Sequence, residues 1–309
     1  MASEKRLMVL DSASMYFRAF FGVPEVTAED GTPVNAVRGF LDFISRLVGD
    51  YRPSHLVCAW DNDWRPQWRV DLLPSYKAHR VVRAIPGPRP DIEEVPDPLE
   101  QQVPVIRAVL EAFGIAVVGV DGYEADDVIG TLATGAGMPV DVVTGDRDLF
   151  QLVDDEAGVR ILYIARGVGK HERITAQVVR DKYAVEAHQY ADFATLRGDA
   201  SDGLPGVAGV GEKTAATLLQ RFGDVPGILA AVEDPDSDLG PNPRSKIRAA
   251  ADYLAVAPQV VAVARDLAPA EHDATLPREP ADPELVAALA EEFNLGGPVD
   301  RLVETLASR

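Results

Sequence analysis

Short apolar runs alternate with amphipathic stretches over the first half of the chain. In the second half only amphipathic stretches remain. Residues 6–10, 55–60, 115–120, 140–143 and 159–164 read as short, largely apolar strands. Between them, Val37, Phe40, Leu41, Ile44 and Val48 repeat at helical spacing and predict a helix over 36–48. Residues 99–113 do the same and stop at Gly114, and 125–133 predicts a third helix. Strands alternating with helices predict an α/β unit around a mostly parallel sheet flanked by helices. Beyond Ile174 the pattern predicts helices alone, over 175–183, 187–197, 212–222, 225–233, 244–256 and 283–294. A boundary near 180 divides the chain into an α/β core, 1–180, and a helical domain, 181–309. Residues 64–98 are irregular, first basic and then Pro-rich, and 233–243 form a polar loop.

The 309 residues suffice for two domains, and 47% apolar with 26% charged is ordinary for a soluble globular protein. The formal net charge is −19, which taken whole argues against non-specific nucleic-acid binding. The charge is uneven, however. Residues 64–90 carry Arg65, Arg69, Lys77, Arg80, Arg83 and Arg89 against Asp71 alone. The single cysteine, Cys58, sits in an apolar run as an inert buried thiol, and the five histidines show no zinc spacing. No run reaches membrane-spanning length and the N-terminus does not read as a signal peptide, so a cytoplasmic protein is expected.

The acids are placed more tellingly. Asp11 follows the first strand, Asp61 the second, Glu124, Asp126 and Asp127 the third, and Asp146 and Asp148 the fourth. In an open parallel sheet the carboxyl ends of the strands line one edge, where ligands bind. A single strand-end acid is as readily a helix N-cap, but four strand ends in succession point to a shared site. So dense a cluster of like charge needs neutralising, and hard oxygen ligands call for Mg²⁺ or Mn²⁺, here two ions.

Residues 197–215 read R-G-D-A-S-D-G-L-P-G-V-A-G-V-G-E-K-T-A. Asp199 and Asp202 could face one cation. The glycine-rich turn through Gly206, Gly209 and Gly211 opens into a helix whose N-terminus favours a phosphate. Alone, the acid pair is a cap and the turn only a turn. In the basic segment, Trp64 and Trp68 read as packing residues. Tyr76-Lys77-Ala-His-Arg80 offers a stacking face and two phosphate-seeking cations.

The motifs L-M-V-L-D-(x6)-R, A-W-D, Y-K-x-x-R, G-Y-E-A-D-D, T-G-D-R-D and G-D-x-S-D-x-L-P-G-V-x-G-V-G-E-K-T-A occur in that order. Through them, from about residue 7 to 229, the chain resembles the bacterial and phage 5′-nuclease family of flap endonucleases and polymerase I 5′–3′ exonuclease domains. The resemblance implies a PIN-like core. It also implies a C-terminal helical DNA-binding domain with an element of helix-turn-helix or helix-hairpin-helix type. It implies that Asp11, Asp61, Glu124, Asp126, Asp127 and Asp146 serve one metal and Asp148, Asp199 and Asp202 a second. It makes Lys77 and Arg80 a basic pair at the base of a helical arch, with Tyr76 the adjacent stacking position and Arg18 and Arg69 further basic positions. It assigns Val207, Gly209, Gly211, Lys213 and Thr214 to duplex binding, with a K⁺ ion at that turn in related enzymes. Gly203 departs from the asparagine common in the family, which puts a turn hydrogen bond in doubt, and the proline-rich arch is a second departure. No polymerase domain follows residue 309, as in a free-standing member or a fragment.

The expected function is therefore a two-metal, structure-specific 5′ nuclease acting on DNA flaps or 5′ ends in replication and repair. Lys77, Arg80, Asp11, Asp126, Asp146 and Asp148 are the expected catalytic residues. The protein is expected to be monomeric, nucleoid-associated and without a membrane partner. Two rivals are a Mg²⁺-dependent phosphohydrolase of small substrates and a DNA-binding protein that has lost catalysis.

Overall fold

The structure is a computed structural model and describes residues 5–83 and 91–309. The expected proline-rich part of the arch, with Pro86, Pro88, Arg89 and Pro90, lies outside the described residues. β1 (Leu7–Asp11) is buried throughout and delivers Asp11 as the N-cap of α1 (Ser12–Gly22), where its carboxylate accepts the Ser14 N–H at 3.0 Å. α2 (Asn35–Tyr51) buries the predicted stripe entirely. Its N-terminus is capped from afar: the buried Gln102 side chain accepts from Ala36 N at 2.7 Å.

β2 (His55–Ala59) and α3 (Gln67–Leu72) lead to a two-stranded antiparallel ribbon, β3 (Val81–Arg83) and β4 (Ile92–Glu93). A ribbon thus stands where the resemblance implies the feet of a helical arch. The helix expected over 99–113 is two helices, α4 (Asp97–Glu100) and α5 (Gln102–Phe113). The break falls where Pro104 cannot donate to the Glu100 carbonyl. β5 (Ala116–Val118), α6 (Ala125–Gly135), β6 (Val140–Thr144), β7 (Val159–Tyr163) and β8 (Glu172–Ile174) complete the α/β unit.

The sheet order is β5-β2-β1-β6-β7-β8, parallel except for the edge pair β7–β8. The chain winds outward from β1 to β2 and β5, then crosses back to β6. The switch point, where ligands bind in such sheets, therefore lies between β1 and β6. Successive β1 residues serve opposite faces: Leu7 and Val9 join one core cluster, Met8 and Leu10 the other.

The helical part comprises α7 (Ala176–Tyr183), α8 (Tyr190–Arg197), α9 (Glu212–Phe222), α10 (Val225–Glu233), α11 (Pro241–Ala249) and α12 (Ala251–Val261). The single helix expected over 244–256 is thus divided at Ala250. The chain then returns to the α/β unit. Leu56 N donates to Ala274 O and Leu276 N to Ser54 O. α13 (Pro283–Glu292) and α14 (Gly296–Ala307) bury Val286, Leu302 and Leu306 in the same cluster as Phe40 and Leu41 of α2. Residues 274–309 therefore lie on the core, not with the helices of 181–261 as the sequence division places them. No helix among the described residues is long and apolar enough to cross a membrane.

Candidate active site

The switch point carries the acids. Asp11, at the end of β1, accepts the Thr144 hydroxyl of β6 at 2.6 Å, a bond that spans the crevice directly. Asp61, just past β2, accepts from Ala125 N at 2.7 Å at the start of α6. Asp146 accepts from Asp148 N at 2.8 Å. A cavity of about 260 Å³ is lined by Asp11, Asp61, Glu124, Asp126 and Asp146 together with Lys77 and Arg80. Strand ends from β1, β2 and β6 and the N-terminus of α6 thus bring together the acids that the sequence sets at four separate places.

Burial and mutual repulsion show in their protonation. Burial pushes Asp61 up to about 7, against its hydrogen bond from Ala125 and the nearby Lys77. Burial, then the charge of Asp202, raises Asp146 to about 6. Asp126 is held well above the carboxylate range by burial and by Asp146 and Asp11. Asp148 is raised likewise by burial, Asp146 and Asp202, and its Oδ1 is buried without a hydrogen-bond partner. An all-oxygen donor set that is buried, proton-retaining and in part unpartnered fits hard divalent cations. Among the described residues no three acidic or imidazole side chains already stand together as a closed metal cage.

Four expected site residues take other roles: Arg69, Asp127, Tyr76 and, as an ion-paired acid instead of a metal ligand, Glu124. Arg69, expected at DNA, is 2% exposed. Its fork donates to both oxygens of Asp127, at 2.7 and 2.8 Å, and to Glu124 Oε1 at 3.0 Å, while Nε donates to Val260 O at 3.0 Å. Asp127, expected as a metal ligand, is wholly buried, closes the capping box of α6 and also accepts from Ala264 N at 2.8 Å. Each of its oxygens accepts two bonds and it does not line the cavity, so it holds the start of α6 in place of the expected ligand role. Tyr76, expected to stack on a base, is buried and donates its hydroxyl to Glu124 at 2.7 Å. Glu124 is further paired with the Lys77 ammonium. It lines the cavity as a residue already neutralised by two cations. The physical reason is common to all: a buried charge or polar group must find a partner, and these find one another.

Lys77 and Arg80 line the cavity. Burial works against the Lys77 charge, but Glu124 outweighs it and holds the ammonium well above its ordinary range. Lys77 has a left-handed backbone (φ 47) and donates its N–H to Asp202 O at 2.9 Å. Arg80 donates to Ser201 O at 2.6 Å and to Asp202 Oδ1 at 3.1 Å. The basic segment is thereby clamped onto the loop bearing Asp199 and Asp202. Gly203 makes the clamp possible: with φ +70, a Cβ there would stand 2.1 Å from Ser75 O. Asp199 caps the turn that follows. Burial opposes its ionisation, but bonds from Ser201 and the charges of Arg197 and Arg147 prevail and hold its carboxyl below the usual range.

A larger open groove of about 820 Å³ adjoins the cavity and shares Asp146 with it. It is lined by Arg18, whose Nε is buried without a partner, and by Arg147, Arg166, Phe17 and Phe21. Arg18 lies where the resemblance implies a basic position. Arg147 and Arg166 escaped the sequence reading, although Arg147 stands inside the T-G-D-R-D motif. In the glycine turn, Val207 is a core residue whose N–H donates to Leu196 O, whereas Gly209, Gly211 and Lys213 are exposed and Thr214 is half-buried.

The chain also matches known proteins over its length. A family model for the 5′–3′ exonuclease N-terminal resolvase-like domain matches residues 6–184, and one for its C-terminal SAM fold matches 185–284. A 5′–3′ exonuclease of Streptomyces coelicolor is 60% identical over 302 residues, covering 97% of this chain and 100% of that protein. One of Mycobacterium tuberculosis is 51% identical, covering 97% of each. A DNA polymerase I of Mycobacterium bovis is 37% identical, covering 98% of this chain but 32% of its own length. Among solved structures, the flap endonuclease of bacteriophage T5 in a pseudo-enzyme–product complex with DNA and metal ions superposes with a TM-score of 0.64, at 16% identity and 98% coverage of both chains. The catalytic core of Rad2 in complex with DNA substrate gives 0.57 at 17% identity, covering 98% of this chain and 91% of that one. At these identities the two structures speak for the fold.

Proposed function

The chain belongs to the 5′–3′ exonuclease family, and from that premise we propose that it hydrolyses phosphodiester bonds at a DNA 5′ end or at the base of a 5′ flap. The observation that carries the reading is the single cavity at the β1–β6 switch point in which Asp11, Asp61, Asp126 and Asp146 meet Lys77 and Arg80. Carboxylates alone would repel a phosphodiester; carboxylates beside two held cations suit a reaction that builds negative charge on phosphorus.

In this reading Asp11, Asp61, Asp126 and Asp146 would hold one divalent ion, Mg²⁺ or Mn²⁺, and Asp148, Asp199 and Asp202 a second. When bound, such ions stabilise the charge that develops on the phosphoryl oxygens and make water a better nucleophile. The side chains do the rest. Asp61 and Asp146, with pKa values near 7 and 6, would give up the protons they retain on holding such an ion. Lys77, oriented by Glu124, and Arg80, oriented by Ser201 and Asp202, orient the scissile phosphate and favour its charged transition state. The turn 206–211 and the start of α9 would hold the duplex through its backbone, which reads shape more than sequence.

A 5′-labelled flap duplex incubated with Mg²⁺ and with EDTA tests the proposal. Cleavage near the flap junction is expected with Mg²⁺ and none with EDTA. Cleavage that persists in EDTA, or no cleavage of any 5′-ended duplex in Mg²⁺, would overturn it.

A further inference from the structure

The family resemblance implies a K⁺ ion at the glycine-rich turn, where peptide carbonyls would ligate it in place of water. In this chain the Gly209 carbonyl of the turn already has a cationic partner. Lys246, on α11, reaches across and donates its ammonium to Gly209 O at 2.9 Å. Its tip fills the space beside the glycine: a Cβ on Gly209 would stand 3.0 Å from Nζ and 3.3 Å from Cε, at φ +72. The neighbouring carbonyls accept protein donors as well, Val207 O from Val210 N and Gly211 O from Ala215 N, both at 2.9 Å.

We propose that the Lys246 ammonium is the monovalent cation of this turn, so that this chain anchors duplex DNA without K⁺. An ammonium supplies what the ion would: one positive charge against the Gly209 carbonyl, next to the N-terminus of α9. It has three N–H donors, and among the described residues only one is used. The others are free to meet a DNA phosphate. A tethered cation costs no ion-binding equilibrium, and its presence does not vary with the salt. The idea rests on the DNA-binding reading above and goes beyond it in naming the group that serves the turn.

The test is duplex affinity by fluorescence anisotropy in EDTA, in KCl and in LiCl at matched ionic strength. The wild type should bind with the same affinity in both salts, within about twofold. Lys246→Ala should bind about tenfold more weakly in LiCl, the loss of one charged hydrogen bond, and recover most of that in KCl as the ion enters the vacated place. Lys213→Ala, an exposed cation of the same helix start, should weaken binding equally in the two salts. A wild type that prefers K⁺, or a Lys246→Ala protein equally weak or equally strong in both salts, would sink the inference while leaving DNA binding intact. A wild type that binds no duplex in either salt would sink the DNA reading and this inference with it.

Discussion

Replacing Arg69 by alanine separates two accounts of the basic segment. In the structure the change removes three charged hydrogen bonds to carboxylates, at 2.7, 2.8 and 3.0 Å, and the bond to Val260 O. Glu124 keeps Lys77 and Tyr76. Asp127 keeps the N–H groups of Ala264 at 2.8 Å and Glu124 at 3.3 Å but loses its only cation among the described residues, at a wholly buried position. Breaking a buried pair from one side costs about 3–5 kcal/mol. For a domain of this size each kcal/mol lowers the midpoint by a few degrees, so a fall of about 10 °C is expected in a thermal melt. Arg69→Lys keeps the charge without the fork and should recover part of the loss. Because Asp127 and Glu124 set the start of α6, Asp126 should drift and single-turnover cleavage should slow. Duplex affinity in Ca²⁺ should stay near wild type. A DNA-contacting Arg69 makes the opposite forecast: an unchanged melt, weaker binding, and a salt slope shallower by about one unit. That second pattern would refute the keystone role.

Lys77→Ala and Arg80→Ala should each slow single-turnover cleavage by about 10²–10³ with little change in flap affinity, since each is asked to stabilise the transition state; wild-type rates in both would remove them from the chemistry. Asp61 and Asp146 have folded pKa values, about 7 and about 6, above those of the unfolded chain. The folded protein therefore holds more protons, and the associated stability is present below about pH 4 and lost as pH rises through about 6 to 7. In EDTA the melting temperature should fall between about pH 5 and pH 8, and Mg²⁺ should raise it more at the upper end; a flat EDTA profile would argue against proton retention at these acids.

The sheet was legible because its strands are apolar runs: 140–143 and 159–164 match β6 and β7 to within a residue. β8 was not, because three residues at an antiparallel edge, only Ile174 of them buried, carry too little pattern. α1 was missed because its cap, Asp11, looks the same whether it ends a strand or starts a helix. α14 begins Gly-Gly-Pro, which reads as a turn. In the site, the position of each acid after its strand was visible. Which acids were already spoken for was not. Arg69 meets Glu124 and Asp127 across 55 and 58 residues, and a basic run seen in one dimension cannot show that its cations are turned inward. The division at 180 missed the return of 274–309 for the same reason: amphipathic helices name a buried face but not the surface that covers it.

Gly203 bears on how such a protein could be engineered. A common route to higher stability replaces unusual residues by those favoured among relatives, or glycines by residues that restrict the unfolded chain. Asparagine, the residue that the family resemblance implies here, would tolerate the left-handed φ. Its Cβ would not tolerate Ser75 O at 2.1 Å. Relieving that overlap would lift the Asp202 loop from the segment bearing Lys77. A graft that looks conservative in an alignment would thus trade catalytic geometry for chain stiffness, and position 203 is open to redesign only together with residues 75–77.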